Sequence, residues 1–231
     1  MSGEAAARQV KVKREGNSAS AIYDRVRADI MNGRLVPGSP LSQLALAKTH
    51  GTSRGPVREA LHRLQQDQLI TGSANKRFNV AQIELADLES ALILQLANVT
   101  LAIRVSVPRL GPPSYGVLDA AVGRMEAARE GDTAAWEAAY RDFALTICSE
   151  AGDQVIALIA GLIDSIQRFR VNLLDRFPRV YAGAEDFRRI ALAARDHDSR
   201  AAAELFAKFF GRLSSLILAG VAPRHDAVRL R

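Results

Sequence analysis

From Ser18 onward apolar residues recur at helical spacing. Ile22, Val26 and Ile30 fall at i, i+4 and i+8, behind Ser18 or Ser20 as a cap. Asn32-Gly33 stops this helix and Pro37-Gly38 turns the chain. A second short helix is predicted from about Ser42 to His50, with Leu41, Leu44 and Ala45 on one side. The segment Ser53-Arg54-Gly55-Pro56-Val57-Arg58-Glu59-Ala60-Leu61 opens a third. Ser53 is its expected N-cap, and Pro56 falls in the first turn, where a missing N–H costs nothing. Val57, Ala60, Leu61 and Leu64 form one buried stripe, while Arg54, Arg58 and His62 share the other face. Leu69-Ile70-Thr71 and Phe78-Asn79-Val80 then alternate as two short strands. The polar loop between them, Gly72 to Arg77, ends in Lys76 and Arg77.

After Gln82 strand patterns disappear and alanine and leucine dominate. Helices are predicted over about 84–107, 114–130, 133–151, 154–177, 184–196 and 199–219. Pro108, Pro112-Pro113, Gly131, Gly152, Pro178, Gly183, and Gly220 with Pro223 punctuate them. A break near Asp196-His197-Asp198 follows from a cluster of poor helix formers. The expected organisation is a flexible basic arm over 1–17 and a winged helix-turn-helix over 18–82. An all-helical domain over 83–220 and a loose tail over 221–231 complete it. The fold class is mainly α, with an antiparallel helical bundle after the winged domain.

Charge sharpens this picture. Residues 1–80 carry 13 Lys and Arg against 6 Asp and Glu, whereas residues 81–231 carry 18 against 19. The whole excess of the +6 chain therefore sits in its first third. That is the electrostatic footprint of a nucleic-acid-binding module beside a neutral second domain. The third helix is narrow enough for the major groove of DNA, and its first turn offers N–H groups to phosphate. Arg54 and Arg58, one turn apart, suit bidentate contact with guanine or phosphate. Gly55 lets backbone approach the duplex, and Lys76 and Arg77 reach adjacent phosphate or the minor groove. Ser53, Arg54, Gly55, Arg58, Lys76 and Arg77 are thus the candidate DNA contacts. His62 is better read as an exposed helix residue or a phosphate neighbour than as a base reader.

These residues also carry a family resemblance. The run Ser53 to Leu61, then Leu64 and Asp67-Gln68-Leu69-Ile70, resembles the recognition-helix signature of GntR-type bacterial transcriptional regulators. Gly33, Leu35, Pro37, Gly38, Leu41 and Leu46-Ala47 fit the same pattern. Three positions depart from it. Gly55 stands where the family usually has threonine or another small polar residue, Leu44 where a polar residue often touches DNA, and Arg77 where a wing glycine is common. The resemblance implies a cytoplasmic regulator, expected to repress, that binds a double-stranded operator as a homodimer.

The second domain resembles the ligand-binding (FCD) domain of the family's FadR-like branch. The resemblance implies a small carboxylic-acid effector, often held through a metal on one Asp and three His. Here those positions fall on Tyr140, Ala144, Phe187 and Phe209, so no metal and no other cofactor is expected. Tyr140, Phe143, Phe187, Phe206, Phe209 and Phe210 make an apolar interior instead. Two readings stay open: a pocket for a carboxylate or apolar effector, or a filled core that only dimerises or docks a protein. Candidate effector-binding residues are Gln95, Asn98, Arg104, Tyr140, Arg170, Phe187 and Phe209, with Gln167 and Asn172 as further polar groups. Gln95 and Asn98 share a face, and Arg104 and Arg170 could fork a carboxylate or, more commonly for arginine, snorkel at the surface.

No Ser-His-Asp, Cys-His or phosphate-loop spacing supports an enzyme, and no catalytic residue is assigned. Asp142, Glu150, Asp164 and Asp175 read as solvated helix charges. The single cysteine, Cys148, reads as a small buried hydrophobe in a reducing compartment. The richest apolar stretch, Ala91 to Val107, is interrupted by Gln95, Asn98, Thr100 and Arg104, so no membrane partner is expected.

Overall fold

The computed structural model of the chain describes residues 18–72, 77–82, 84–128, 132–173 and 184–229. The expected arm over 1–17, Lys76 and the breaks at Gly131, Pro178 and Gly183 lie outside them. The chain divides after residue 83 into two compact units.

The first unit runs α1 (Ala19–Met31), β1 (Pro40–Leu41), α2 (Gln43–Thr49), α3 (Arg54–Gln66), β2 (Ile70–Thr71) and β3 (Phe78–Val80). Ser18 and Ser42 cap α1 and α2 by accepting from the Ala21 and Ala45 amides. Ile22, Val26 and Ile30 of α1 pack with Val57, Ala60, Leu61 and Leu64 of α3 and with Phe78 and Val80 of the wing. The sheet is three-stranded and antiparallel in the order β1-β3-β2, with Leu41 opposite Phe78 and Ile70 opposite Val80. Its first strand is absent from the sequence reading. Two residues are too short for alternation to register; the pairing shows only in the ladder to β3, which the Gly38 amide to Val80 and the Val80 amide to Ser39 bonds extend beyond the strand.

Ser53 takes the extended N-cap backbone of α3 but makes no side-chain capping bond. One contribution is local: of the two amides that could donate to the cap, the one at the third helical residue is absent, because that residue is Pro56.

The second unit runs α4 (Leu85–Ser106), a 3₁₀ turn (Val107–Arg109), α5 (Pro112–Ala127), α6 (Thr133–Ile147), a second 3₁₀ turn (Ser149–Ala151), α7 (Asp153–Leu173), α8 (Ala184–Arg195) and α9 (Ser199–Arg229). Pro112 and Pro113 open α5 rather than precede it, because the first turn of a helix tolerates proline. α9 continues as backbone helix through Gly220 and Pro223 to Arg229, where a loose tail was expected. One proline removes a single intrahelical bond, and the alanines at 219, 222 and 227 favour helix on both sides of it. At the break before α9, His197 adopts φ 55° and Asp198 caps the new helix at the Ala201 amide.

α4 packs against α7 and α9, α5 against α6 and α8, and α8 against α9. Among the described residues, one helical stretch, Leu85–Arg109, is long and apolar enough to cross a membrane. Its Leu88, Leu92, Val99 and Ile103 are spent on the core of the unit.

Candidate nucleic-acid interface and buried polar cluster

The outer face of α3 is built by elimination. Val57, Ala60, Leu61 and Leu64 are wholly buried, so at 3.6 residues per turn Arg54, Arg58, Glu59 and His62 must point outward, and all four are exposed. Arg54 and Arg58 enter none of the ion pairs found among the described residues. His62 meets Phe78 of the wing edge to face, with ring centres 6.2 Å apart. Arg63 behaves differently from its neighbours: it donates to the Ser20 hydroxyl and lies 4.4 Å over the Tyr23 ring. Tyr23 in turn donates to Asp67 at the end of α3. Partial burial and the Asp67 carboxylate push its phenol above the ordinary tyrosine range. These contacts fix α3 on α1 without using Arg54 or Arg58.

The base of the wing is fixed as tightly. Gly72 has φ 129°, and a Cβ there would stand 2.5 Å from the Arg77 carbonyl oxygen. Gln65 of α3 donates to the Gly72 carbonyl at 2.6 Å. Arg77 is thereby held, exposed, beside the end of α3. Gly55 is the opposite kind of glycine. A Cβ there would meet only the Ser53 hydroxyl, at an ordinary 3.8 Å.

In the helical unit the expected polar residues separate. Gln95 is fully buried and donates to the Tyr140 hydroxyl at 2.6 Å, leaving its own Oε1 without a partner among the described residues. Asn98 turns back to the Leu94 carbonyl of its own helix. A polar side chain three residues on stays half exposed, so the two do not meet inside. Arg104 is exposed on α4 and belongs to no buried group. Gln167 is buried, and the side chain of Asn172 lies outside the described residues.

Arg170 overturns the expectation that it snorkels to the surface. It is 1% exposed and donates in a fork to Glu137, Nε to Oε1 at 2.7 Å and Nη2 to Oε2. The guanidinium lies 5.0 Å from the Tyr140 ring centre and 6.0 Å from that of Trp136. Burial pushes the Glu137 carboxyl above its usual range, and Arg170 pulls it back. Burial likewise pushes the Tyr140 phenol upward, so it remains a neutral hydroxyl beside Gln95.

Glu137 escaped the sequence reading. The signal was present: Glu137, Tyr140 and Ala144 share one face of α6, and Ile159, Ile163, Ile166 and Arg170 share one face of α7. A single charge of opposite sign on each of two apolar stripes is the mark of a buried pair. Asp142 and Asp164 are paired as well, with Arg124 and Arg141.

Trp136 and Tyr140, which flank this guanidinium, belong to a larger aromatic cluster. Trp136 stacks on Tyr140, and Phe187 meets Tyr140, Phe143 and Phe209 edge to face with ring centres 4.6–5.7 Å apart. Tyr140, Ala144, Phe187 and Phe209 are all buried. The metal implied by the FadR-like resemblance does not fit these positions. A neutral phenol, a methyl group and two phenyl rings offer no set of imidazole or carboxylate donors, and no cluster of three ligating side chains occurs among the described residues.

The comparisons agree with this division. Residues 18–80 match the family described as bacterial regulatory proteins, gntR family, and residues 99–211 match the FCD domain. An HTH-type transcriptional regulator, BphR of Paraburkholderia xenovorans, is 37% identical over 87 residues, which is 38% of this chain and 36% of that protein. YdhC of Bacillus subtilis is 24% identical over 48% of this chain and 50% of its own length. A probable D-xylose utilization operon transcriptional repressor of Paenarthrobacter nicotinovorans is 29% identical over 54% and 55%. The chain thus spans about half the length, or less, of these curated relatives. Among solved structures, E. coli McbR/YncC superposes with a TM-score of 0.76 at 19% identity, over 87% of this chain and 97% of that one. A putative transcriptional regulator GntR from Rhodococcus sp. RHA1 gives 0.75 at 18% over the same shares. At such identity these two speak for the fold alone.

Proposed function

Since the chain belongs to the gntR family of bacterial regulatory proteins and carries its FCD domain, we propose that it is a cytoplasmic, sequence-specific DNA-binding regulator that represses transcription and is not an enzyme. The observation that carries the DNA-binding role is the α3 surface. Arg54 and Arg58 stand outward one turn apart, over a stripe that is wholly buried. Arg58 reads base edges in the major groove. Arg54, Ser53 and the Gly55 backbone sit at the helix start, where a phosphate is met by N–H groups and the positive dipole end. Arg77 and Lys76 extend the contact from the wing.

The protein acts as a homodimer, because two recognition helices on a near-palindrome multiply both affinity and specificity. The helical unit offers a face for this. Ile93, Ala97, Leu101 and Val105 form an exposed stripe along α4, with Ile93 at 69% and Leu101 at 66% exposure, and Leu158 is exposed on the adjoining α7. Such a stripe is more than scattered surface apolarity.

Selection from random duplexes with the full-length protein tests the reading. Enrichment of a near-palindromic site, lost with Arg58→Ala, is the expected result. Equal retention of all sequences would sink it. Light scattering should give about twice the chain mass of 25.0 kDa, and Leu101→Glu should return a monomer.

A further inference from the structure

The place where the FCD resemblance puts a metal and its carboxylate effector already contains a cation and a carboxylate of the chain's own. We infer that the Arg170–Glu137 pair is a built-in ligand: it fills the polar centre of the helical unit, so that this centre takes neither a divalent metal nor a free carboxylate. The inference deepens the proposed function and rests on the family assignment behind it.

Four observations converge. The four positions implied as metal ligands hold Tyr140, Ala144, Phe187 and Phe209, which have no donor set for a metal. The Arg170 guanidinium lies against the ring of Tyr140, the residue at the implied aspartate position. Both oxygens of Glu137 accept from that guanidinium, the fork geometry that a bound carboxylic acid would use. Trp136 and Tyr140 then lie against the guanidinium, and Phe187 packs on both of their rings and on Phe209. A free acid would have to displace Glu137 and leave a buried carboxylate without its counter-charge, which the low-dielectric interior opposes.

A built-in ligand differs from an ordinary core ion pair in one respect: deleting its carboxylate should recreate a site for an external one. Glu137→Ala removes the carboxylate and leaves the Arg170 fork facing the vacated space. The experiment is thermal unfolding of the full-length protein at fixed concentration and ionic strength. Its arms are sodium formate, sodium acetate, sodium chloride, zinc chloride, nickel chloride and a chelator. The native protein is expected to show no shift with formate, acetate, metal or chelator. Glu137→Ala should melt several degrees lower and regain at least half of the loss in formate or acetate, but not in chloride. Glu137→Ala combined with Arg170→Met should show no such recovery.

A chelator-reversible rise of the native protein with zinc or nickel, or a rise with formate or acetate alone, would overturn the inference. So would a folded Glu137→Ala protein that formate and acetate leave unchanged, or equal recovery in the double variant. If Glu137→Ala does not fold, Glu137→Gln keeps the shape of the side chain, and the native-protein arms still decide. Duplex binding by the native protein is measured in parallel. Its loss would count against the DNA-binding role, whereas the thermal shifts bear on the helical unit alone.

Discussion

Two arginines at helical spacing, Arg58 in the first unit and Arg170 in the second, were given opposite environments by their neighbours. Arg58 shares a face with Arg54 and His62, so the turn before and the turn after it are polar, and it is exposed. Arg170 shares a face with Ile159, Ile163 and Ile166, and it is buried and forked onto Glu137. Spacing alone does not tell an outward cation from an inward one; the residues three and four positions away do. The functional consequence follows directly. A guanidinium with its charge uncompensated at the surface is available to an external anion, and one already bound to an internal carboxylate is not.

The sharpest way to break this contrast is to remove one half of the buried pair. Glu137→Ala should destabilise the protein by about 3–5 kcal/mol, because it takes the forked carboxylate away from a desolvated cation. Replacing both, as Glu137→Leu with Arg170→Met, should cost far less, on the order of 1–2 kcal/mol either way. Urea unfolding at matched protein concentration reads both. Equal losses for the single and double variants would mean that packing, and not charge, holds this centre.

The surface arginine should respond in the other currency. Arg58→Ala is expected to weaken specific duplex binding by about 1–3 kcal/mol. Its unfolding midpoint should change little, since surface substitutions away from special features usually stay within about 0.5 kcal/mol. A fall that is equal on all sequences would assign Arg58 to phosphate instead of a base edge.

This asymmetry also explains which parts of the molecule were legible beforehand. The α3 stripe is readable because four apolar residues and two arginines each obey one period over a helix with proline in its first turn. The helical segments followed from alanine-rich amphipathic runs between glycine and proline. What was not legible depends on distant pairing. β1 is two residues long and exists only through β3. The apolar stripe around Glu137 marks it as a buried charge, but which cation it meets, Arg170 33 residues later, is decided by the packing of α6 on α7. Gln95, Asn98 and Arg104 all interrupt one apolar run, yet at about 100° per residue Arg104 falls on the side opposite Gln95, while Asn98 sits at the edge of the buried face, half exposed and bonded to the Leu94 carbonyl. For the missing Ser53 cap the sequence holds part of the reason, since Pro56 occupies one of the two positions whose amide could donate to it.

A smaller effect sharpens the same contrast on the inner side of α3. Tyr23→Phe removes the bond to Asp67 and leaves the ring beneath Arg63. The expected loss is about 0.5–1.5 kcal/mol, toward the lower end because the contact is partly exposed. Duplex affinity should stay within a factor of two or so of the native value, as Tyr23 only holds α3 in place. A large affinity loss with unchanged stability would mean that Tyr23 itself faces DNA.

Gly55 gives the finest test, because stability and function should move in opposite directions. Nothing inside the protein requires a glycine there: its φ is not in the left-handed region, and the nearest atom to an added Cβ is the Ser53 hydroxyl at 3.8 Å. Alanine is the better helix former, so Gly55→Ala should stabilise the protein by up to about 0.5–1 kcal/mol. If the α3 backbone lies close against the duplex, the added methyl group must push it away, and affinity should fall severalfold. An affinity that holds while the protein gains stability would show that the duplex leaves room at the start of α3. The first-turn contact would then belong to the longer side chains of Arg54 and Arg58, reaching across a gap that the backbone does not close.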